Sequence, residues 1–138
     1  MATAQPLTRE EAARIVKSGE EAFAAADVER IVAGFTEDAV APFATLPELR
    51  GREAIARFLR ARFARQRNYR LTKTLRVVQG DIIGNIWEGT WEDAHTGRRM
   101  YGRGVEFWTM RGKQIARWEA AFNVMEEGGD PFQALGIV

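Results

Sequence analysis

One serine, one histidine and no cysteine among 138 residues remove most covalent chemistries at the outset. Ser18 sits inside a predicted helix and His95 in a predicted turn, so a Ser-His-Asp triad would have to join two distant elements. His95 reads as a solvated turn residue. Without cysteine there is neither a thiolate zinc site nor a disulfide framework, and no carboxylate cluster has ligand spacing. No metal and no cofactor are therefore expected. Tyr101-Gly-Arg-Gly104 contains G-x-G but leads into a strand rather than a helix, which excludes a dinucleotide-binding turn. Proton transfer by a carboxylate is what remains. Asp27, Asp38, Asp81, Asp93 and Asp130 all fall at predicted caps, turns or the tail, so the strand residues Glu88, Glu92, Glu106 and Glu119 decide the matter.

Which way these glutamates point depends on the closing hairpin, Val105 to Asn123, where aromatics recur on alternate positions. With Arg111-Gly112 as the tight turn, Glu106 pairs with Arg117 and Gly104 with Glu119. Alternation then puts Tyr101, Arg103, Val105, Phe107, Ala116, Trp118, Ala120 and Phe122 on one face. Glu106, Trp108, Ile115, Arg117, Glu119 and Asn123 share the other. The first face is richer in apolar groups and is assigned to a cavity, to which the neighbouring strand adds Asn85, Trp87, Gly89 and Trp91. The expected ligand-binding residues are thus Asn85, Trp87, Trp91, Tyr101, Arg103, Phe107, Trp118 and Phe122. Every strand glutamate falls outside, with Glu106 and Arg117 as a cross-strand ion pair. A single bulge would swap the faces and make Glu106 or Glu119 the catalytic candidate. An unpaired guanidinium in an apolar cavity costs roughly several kcal/mol. Arg103 therefore either anchors an anionic ligand with Tyr101 beside it, or lies near the mouth, paired with a helix acid or solvated.

The elements that must position these residues are legible in the pattern. Thr8-Arg-Glu-Glu11 is a capping box, and Ala12, Ile15, Val16, Gly19, Ala22, Phe23 and Ala26 follow at helical spacing. Asp27 caps a short second helix carrying Ile31, Val32 and Phe35. Ala39-Val-Ala-Pro-Phe43 reads as a short strand that Pro42 demotes to an edge or entry strand. A third helix over 52–66 bears Ile55, Phe58, Leu59 and Phe63 on one stripe, and strands follow over about 69–78, 82–92, 99–110 and 114–124. This order predicts an α+β fold: a cone-shaped, curved antiparallel sheet of four to five strands wrapped around three N-terminal helices. Residues 1–7 are expected to be a flexible N-terminus, 8–125 a single domain and 126–138 a tail.

Asp27-Val-Glu-Arg-Ile-Val-Ala-Gly-Phe-Thr-Glu-Asp-Ala-Val40, Leu49-Arg-Gly-Arg-Glu-Ala-Ile-Ala-Arg-Phe-Leu59 and Gly112-Lys-Gln-Ile-Ala-Arg-Trp118 resemble the SnoaL-like, ketosteroid-isomerase-like superfamily, also called nuclear-transport-factor-2-like. The resemblance covers about residues 8–124. Within it, Gly51–Arg76 and Glu119-Ala-Ala-Phe-Asn123 look most like a bacterial domain family of unknown function. The resemblance implies the cone and a homodimer formed through the outer sheet face. It also implies that the base and oxyanion donors of the steroid isomerases would fall near Phe43, Gly19 and Val105. The arginine and two aspartates of the epoxide hydrolases would fall near Trp87, Gly89 and Ala120. None of these six can serve, so neither catalytic set is matched, and Phe43 joins the expected pocket lining. Fold membership alone does not assign a reaction.

Composition narrows the partners. A net charge of +1 gives no global attraction to nucleic acid or membrane, and no apolar run approaches the ~20 residues that span a bilayer. The basic run Arg50, Arg52, Arg57, Arg60, Arg62, Arg65, Arg67, Arg70, Lys73 and Arg76 reads as a solvated face rather than a phosphate-tracking one. Met1-Ala-Thr-Ala-Gln-Pro6 lacks the basic and apolar segments of a secretion signal, and a cytoplasmic protein is expected. The expected partner is a small, flat, apolar molecule, anionic if Arg103 anchors it, with the reaction undefined. The alternatives are a proton-transfer enzyme of isomerase or cyclase type using Glu119 or Glu106, and a non-catalytic dimeric interaction module.

Overall fold

The computed structural model describes residues 6–137. Of the predicted N-terminal segment, residues 1–5 lie outside the described residues, as does Val138 of the tail. The order is α1 (Arg9–Ala24), α2 (Val28–Ala33), β1 (Phe35–Ala41), β2 (Leu49–Arg50), α3 (Arg52–Ala64), β3 (Gln66–Gln79), β4 (Ile82–Asp93), β5 (Arg99–Arg111), β6 (Gln114–Glu126) and α4 (Pro131–Ala134). The fold is α+β, as expected, with α1–α3 packed on one face of a six-stranded sheet ordered β2-β1-β6-β5-β4-β3.

The local reasons are the predicted ones at α1 and α2. The Thr8 hydroxyl accepts from the Glu11 N–H and the Glu11 carboxylate from the Thr8 N–H, both at 3.1 Å, satisfying two amides that the first turn leaves free. Asp27 caps α2 by accepting from the Arg30 N–H at 3.1 Å. The tail contains one further capped turn, where Asp130 accepts from Phe132 and Pro131 opens α4.

β1 corrects the expectation of an edge strand. It lies between β2 and β6 and runs parallel to β6, while every other pairing is antiparallel. Pro42 sits just past the end of β1, where its missing N–H breaks no rung, and its carbonyl still accepts from Ala120. At the opposite edge, β3 lies against α1, and the Glu20 carboxylate accepts from the Lys73 backbone N–H at 2.8 Å. That bond holds the Glu20 carboxyl below its usual range and covers part of a bare strand edge. The core runs continuously from Val16 and Phe23 of α1 through Ile55 and Leu59 of α3 to Ile83, Trp108 and Trp118 of the sheet.

Candidate functional site

One extra residue in β6 determines the content of the cone. The β5–β6 turn is Gly112-Lys113, because Arg111 pairs with Gln114 and Met110 with Ile115. The next rung joins Thr109 to Arg117, so Ala116 is a bulge. Beyond it Trp108 faces Trp118, Glu106 faces Ala120 and Gly104 faces Phe122. Even-numbered residues of both strands therefore share the inner face. The bulge lets Ile115 and Trp118, an odd spacing apart, both point inward and be buried.

This reverses the expected orientation of β5. Glu106 turns into the cone, whereas Tyr101, Arg103, Val105 and Phe107 turn out of it. Val105 and Phe107 are 50% and 47% exposed, and Arg103 pairs with Glu88 at 3.3 Å on the outer surface. Tyr101 is half-buried in an outer groove beside Ile86 and Val105. The expected Glu106–Arg117 pair does not form; Arg117 meets Glu119 at 3.2 Å, and both lie outside. Asn85, Trp87, Trp91, Trp118, Phe122 and Phe43 do converge on the interior, and Phe43 packs edge-on against Trp118 at 4.6 Å between ring centres.

At the floor lies a buried ion pair. Lys73 Nζ donates to Glu106 Oε1 at 2.6 Å, and the two side chains are only 3% and 1% exposed. Trp118 Nε1 donates to Glu106 Oε2 at 2.9 Å, so each carboxylate oxygen has a fixed donor. The ammonium also stands over Phe23 and Trp108, 4.7 and 5.5 Å from their ring centres. Burying both charges costs several kcal/mol, roughly, which this close geometry and the indole bond offset. Asn85, opposite Glu106 on β4, is 2% exposed, and neither of its amide atoms has a partner among the described residues.

Glycine makes the wall possible. A Cβ on Gly104 would stand 2.6 Å from Trp87 Nε1 and from Phe122 Cβ, so only a bare backbone lets these rings meet in front of β5. Gly102 similarly admits the edges of Trp87 and Trp91. The hollow bounded by Phe43, Phe58, Trp87, Phe122 and the Lys73–Glu106 pair has a volume of about 40 Å³, room for water rather than for a ring. A larger hollow of about 160 Å³ lies between α1, α2 and the β5–β6 turn, lined by Ser18, Gly19, Trp108 and Lys113 among others. It contains neither the ion pair nor the aromatic wall.

Arg62 of α3 closes the first hollow. Its guanidinium carbon is 5.1 Å from the Phe122 ring centre and 5.8 Å from those of Trp87 and Trp91. Among the described residues it has neither an acid nor a hydrogen-bond acceptor, and burial draws its pKa down from the ordinary arginine value. Tyr69 stands beside it, against Trp91 and Phe63. Burial pushes the Tyr69 phenol up to about 12, opposed by the Arg62 charge and reinforced by Glu106.

Lys73, Arg62 and Tyr69 were all missed as site residues, although each left a signal. Tyr69, Leu71, Lys73 and Leu75 alternate along one strand, which places Lys73 on the apolar side. Ile55, Phe58, Leu59, Arg62 and Phe63 follow at helical spacing, which places Arg62 on the apolar stripe of α3. The basic run is therefore not one solvated face. His95 is exposed, with only its backbone N–H engaged, by Asp93 at 3.2 Å. Among the described residues no three His, Cys, Asp or Glu side chains converge as a metal site would require.

The sequence model of the SnoaL-like domain matches residues 17–118, and the chain belongs to that family. A comparison with curated proteins finds no match. Among solved structures, the epoxide hydrolase/cyclase-like enzyme SalBIII, described for pyran ring formation in the polyether salinomycin, superposes with a TM-score of 0.75 at 16% identity, covering 86% of this chain and 97% of that one. A ketosteroid isomerase-like protein from Erwinia carotovora atroseptica gives 0.66 at 20% identity, covering 83% and 98%. TerC, crystallised with polyporic acid, gives 0.68 at 20% identity, covering 81% and 91%. At these identities the likeness establishes the fold. No helix among the described residues is long and apolar enough to cross a membrane.

Proposed function

We propose that the cone binds a small molecule with a flat, apolar body, of which the inner edge carries a polar group that meets the Lys73–Glu106 pair. The observation that carries this is Glu106, a carboxylate held by two donors at the base of an aromatic hollow. A core built only for stability gains nothing from such a pair over apolar side chains of the same volume. Unpartnered Asn85 adds a second buried polar group on the same side of the sheet. The hollow holds no ring as it stands, so entry requires the half-buried Phe58, Arg62, Phe63 and Phe122 to swing outward. TerC, crystallised with polyporic acid, is a precedent within the fold for holding a small molecule.

A proton-transfer reaction is the second reading, favoured by the inward turn of Glu106. A carboxylate accepting two hydrogen bonds retains lone pairs for an acidic C–H or O–H of a bound molecule. It would take that proton and return it elsewhere, which is isomerase or cyclase chemistry. Glu119 has no part in this, since it points outward.

Naphthamide, flat and uncharged, tests the site. The four indole N–H resonances of a nitrogen-labelled sample should divide on titration, with Trp87, Trp91 and Trp118 shifting more than Trp108. No shift up to millimolar naphthamide, together with no small molecule retained by the purified protein in native mass spectrometry, would sink the reading. The outer face, where Val77, Ile82, Val105 and Phe107 are exposed, is proposed to be covered by a second copy of the chain, in a cytoplasmic homodimer. Phe107→Glu should then give a monomer in light scattering; a wild-type monomer would refute it.

A further inference from the structure

We infer that Arg62 is the anchor for a carboxylate on the bound molecule, with the Tyr69 hydroxyl as a second donor at the mouth of the cone. The inference deepens the reading of the cone as a binding site and rests on it. It replaces Arg103, which the register places outside.

Unlike Arg60 and Arg65, the half-buried Arg62 has no counter-charge among the described residues. On the same helix Arg60 meets Glu29 at 3.0 Å, and just beyond the helix Arg65 meets Asp93 at 2.8 Å. Arg52 donates to the Phe35 carbonyl. Arg62 instead lies across Trp87, Trp91 and Phe122, and lines the same hollow as Glu106. Glu106 is the carboxylate of that hollow, and its two oxygens accept from Lys73 and Trp118 rather than from Arg62. Ring faces hold a cation well enough to keep it at the mouth, but they leave its N–H donors unused. An arriving carboxylate presents two coplanar oxygens to that fork, which is the geometry guanidinium recognises best.

Tyr69 supports the same assignment independently. Its hydroxyl has no hydrogen-bond partner among the described residues, and it is close enough to Arg62 for the two groups to bias each other electrostatically. It stays protonated through neutral pH and is therefore a donor to an anion. A single guanidinium offers one positive charge and the Lys73–Glu106 pair adds none, which favours a singly charged carboxylate over a doubly charged phosphate monoester. The ligand class is thus an aryl or enol carboxylate, its ring on the Trp87–Phe122 wall and its acid under Arg62.

Calorimetric titration of the full chain with naphthoate, naphthamide and naphthyl phosphate tests this. Wild type should bind naphthoate more tightly than naphthamide by about 10- to 100-fold, the range of a charge-assisted hydrogen bond. In Arg62→Met that preference should vanish while naphthamide affinity persists, showing that the site still folds; Arg62→Lys should retain part of it. Tyr69→Phe should weaken naphthoate alone. Equal binding of naphthoate and naphthamide by wild type, or an unchanged preference in Arg62→Met, overturns the anchor and leaves the aromatic site standing. Tighter binding of naphthyl phosphate overturns the carboxylate assignment. Failure of all three probes removes the binding site itself, and the anchor with it.

Discussion

Two cations reach the interior of the cone and are held in opposite ways. Lys73 is enclosed, with a carboxylate at 2.6 Å and two rings about it. Arg62 lies on three rings at the mouth, with no acid among the described residues. A deeply buried charge must carry its counter-charge with it, whereas one at the edge can be held by polarisable faces and by access to water. The first arrangement ties β3 to β5 and β6; the second leaves a binding capacity unspent.

The contrast is most open to attack at Lys73. Lys73→Met or Glu106→Leu alone strands a buried charge and should lower stability by about 3–5 kcal/mol. The double variant Lys73→Met/Glu106→Leu should recover most of that loss, because two apolar groups of similar volume need no pairing. Urea unfolding of the three proteins measures both effects. Singles no worse than the double would mean that the pair is not the tie.

Tyr69 sharpens the picture of the mouth. Its folded pKa, raised to about 12 by burial, exceeds the unfolded value near 10. The neutral phenol therefore contributes stability that is fully present below about pH 10 and is lost as pH rises toward 12. Each unit of that window should cost about 1.4 kcal/mol in wild type relative to Tyr69→Phe. Parallel alkaline stability curves for the two proteins would show that the hydroxyl is solvated.

Asn85 offers a smaller effect of opposite sign. Both amide atoms are buried without partners among the described residues, so Asn85→Leu should raise stability by about 1–3 kcal/mol. A loss instead would show that the amide holds water or another polar group in the native protein.

The helices, the strand order of the hairpins and the aromatic wall were legible in the sequence because each rests on local period. Trp87, Trp91, Trp118 and Phe122 share a face on alternation alone. The direction of Glu106 was not legible from the turn, because it depends on one bulged residue, Ala116, more than a hundred residues into the chain. A trace of it existed in the odd spacing of Ile115 and Trp118, two large apolar residues that a regular strand cannot bury together. Lys73 and Arg62 were hidden for a different reason. Each sits at an apolar period, but a charge in a run of arginines invites a surface reading, and only the tertiary packing shows which two of those cations turn inward.

The smallest expected effect on stability is the one that separates the two cations most sharply. Arg62→Met gives up ring contacts of about 0.5–2 kcal/mol in total. It also relieves the desolvation that depresses the guanidinium pKa, a cost that no carboxylate among the described residues offsets. These terms oppose each other, and methionine can lie on the same three rings, so the net change should be within about 1 kcal/mol by urea unfolding. The comparison breaks if Arg62→Met costs as much as Lys73→Met. A loss of that size would require a counter-charge for Arg62 within the folded protein, and a cation already paired has nothing left to offer a ligand.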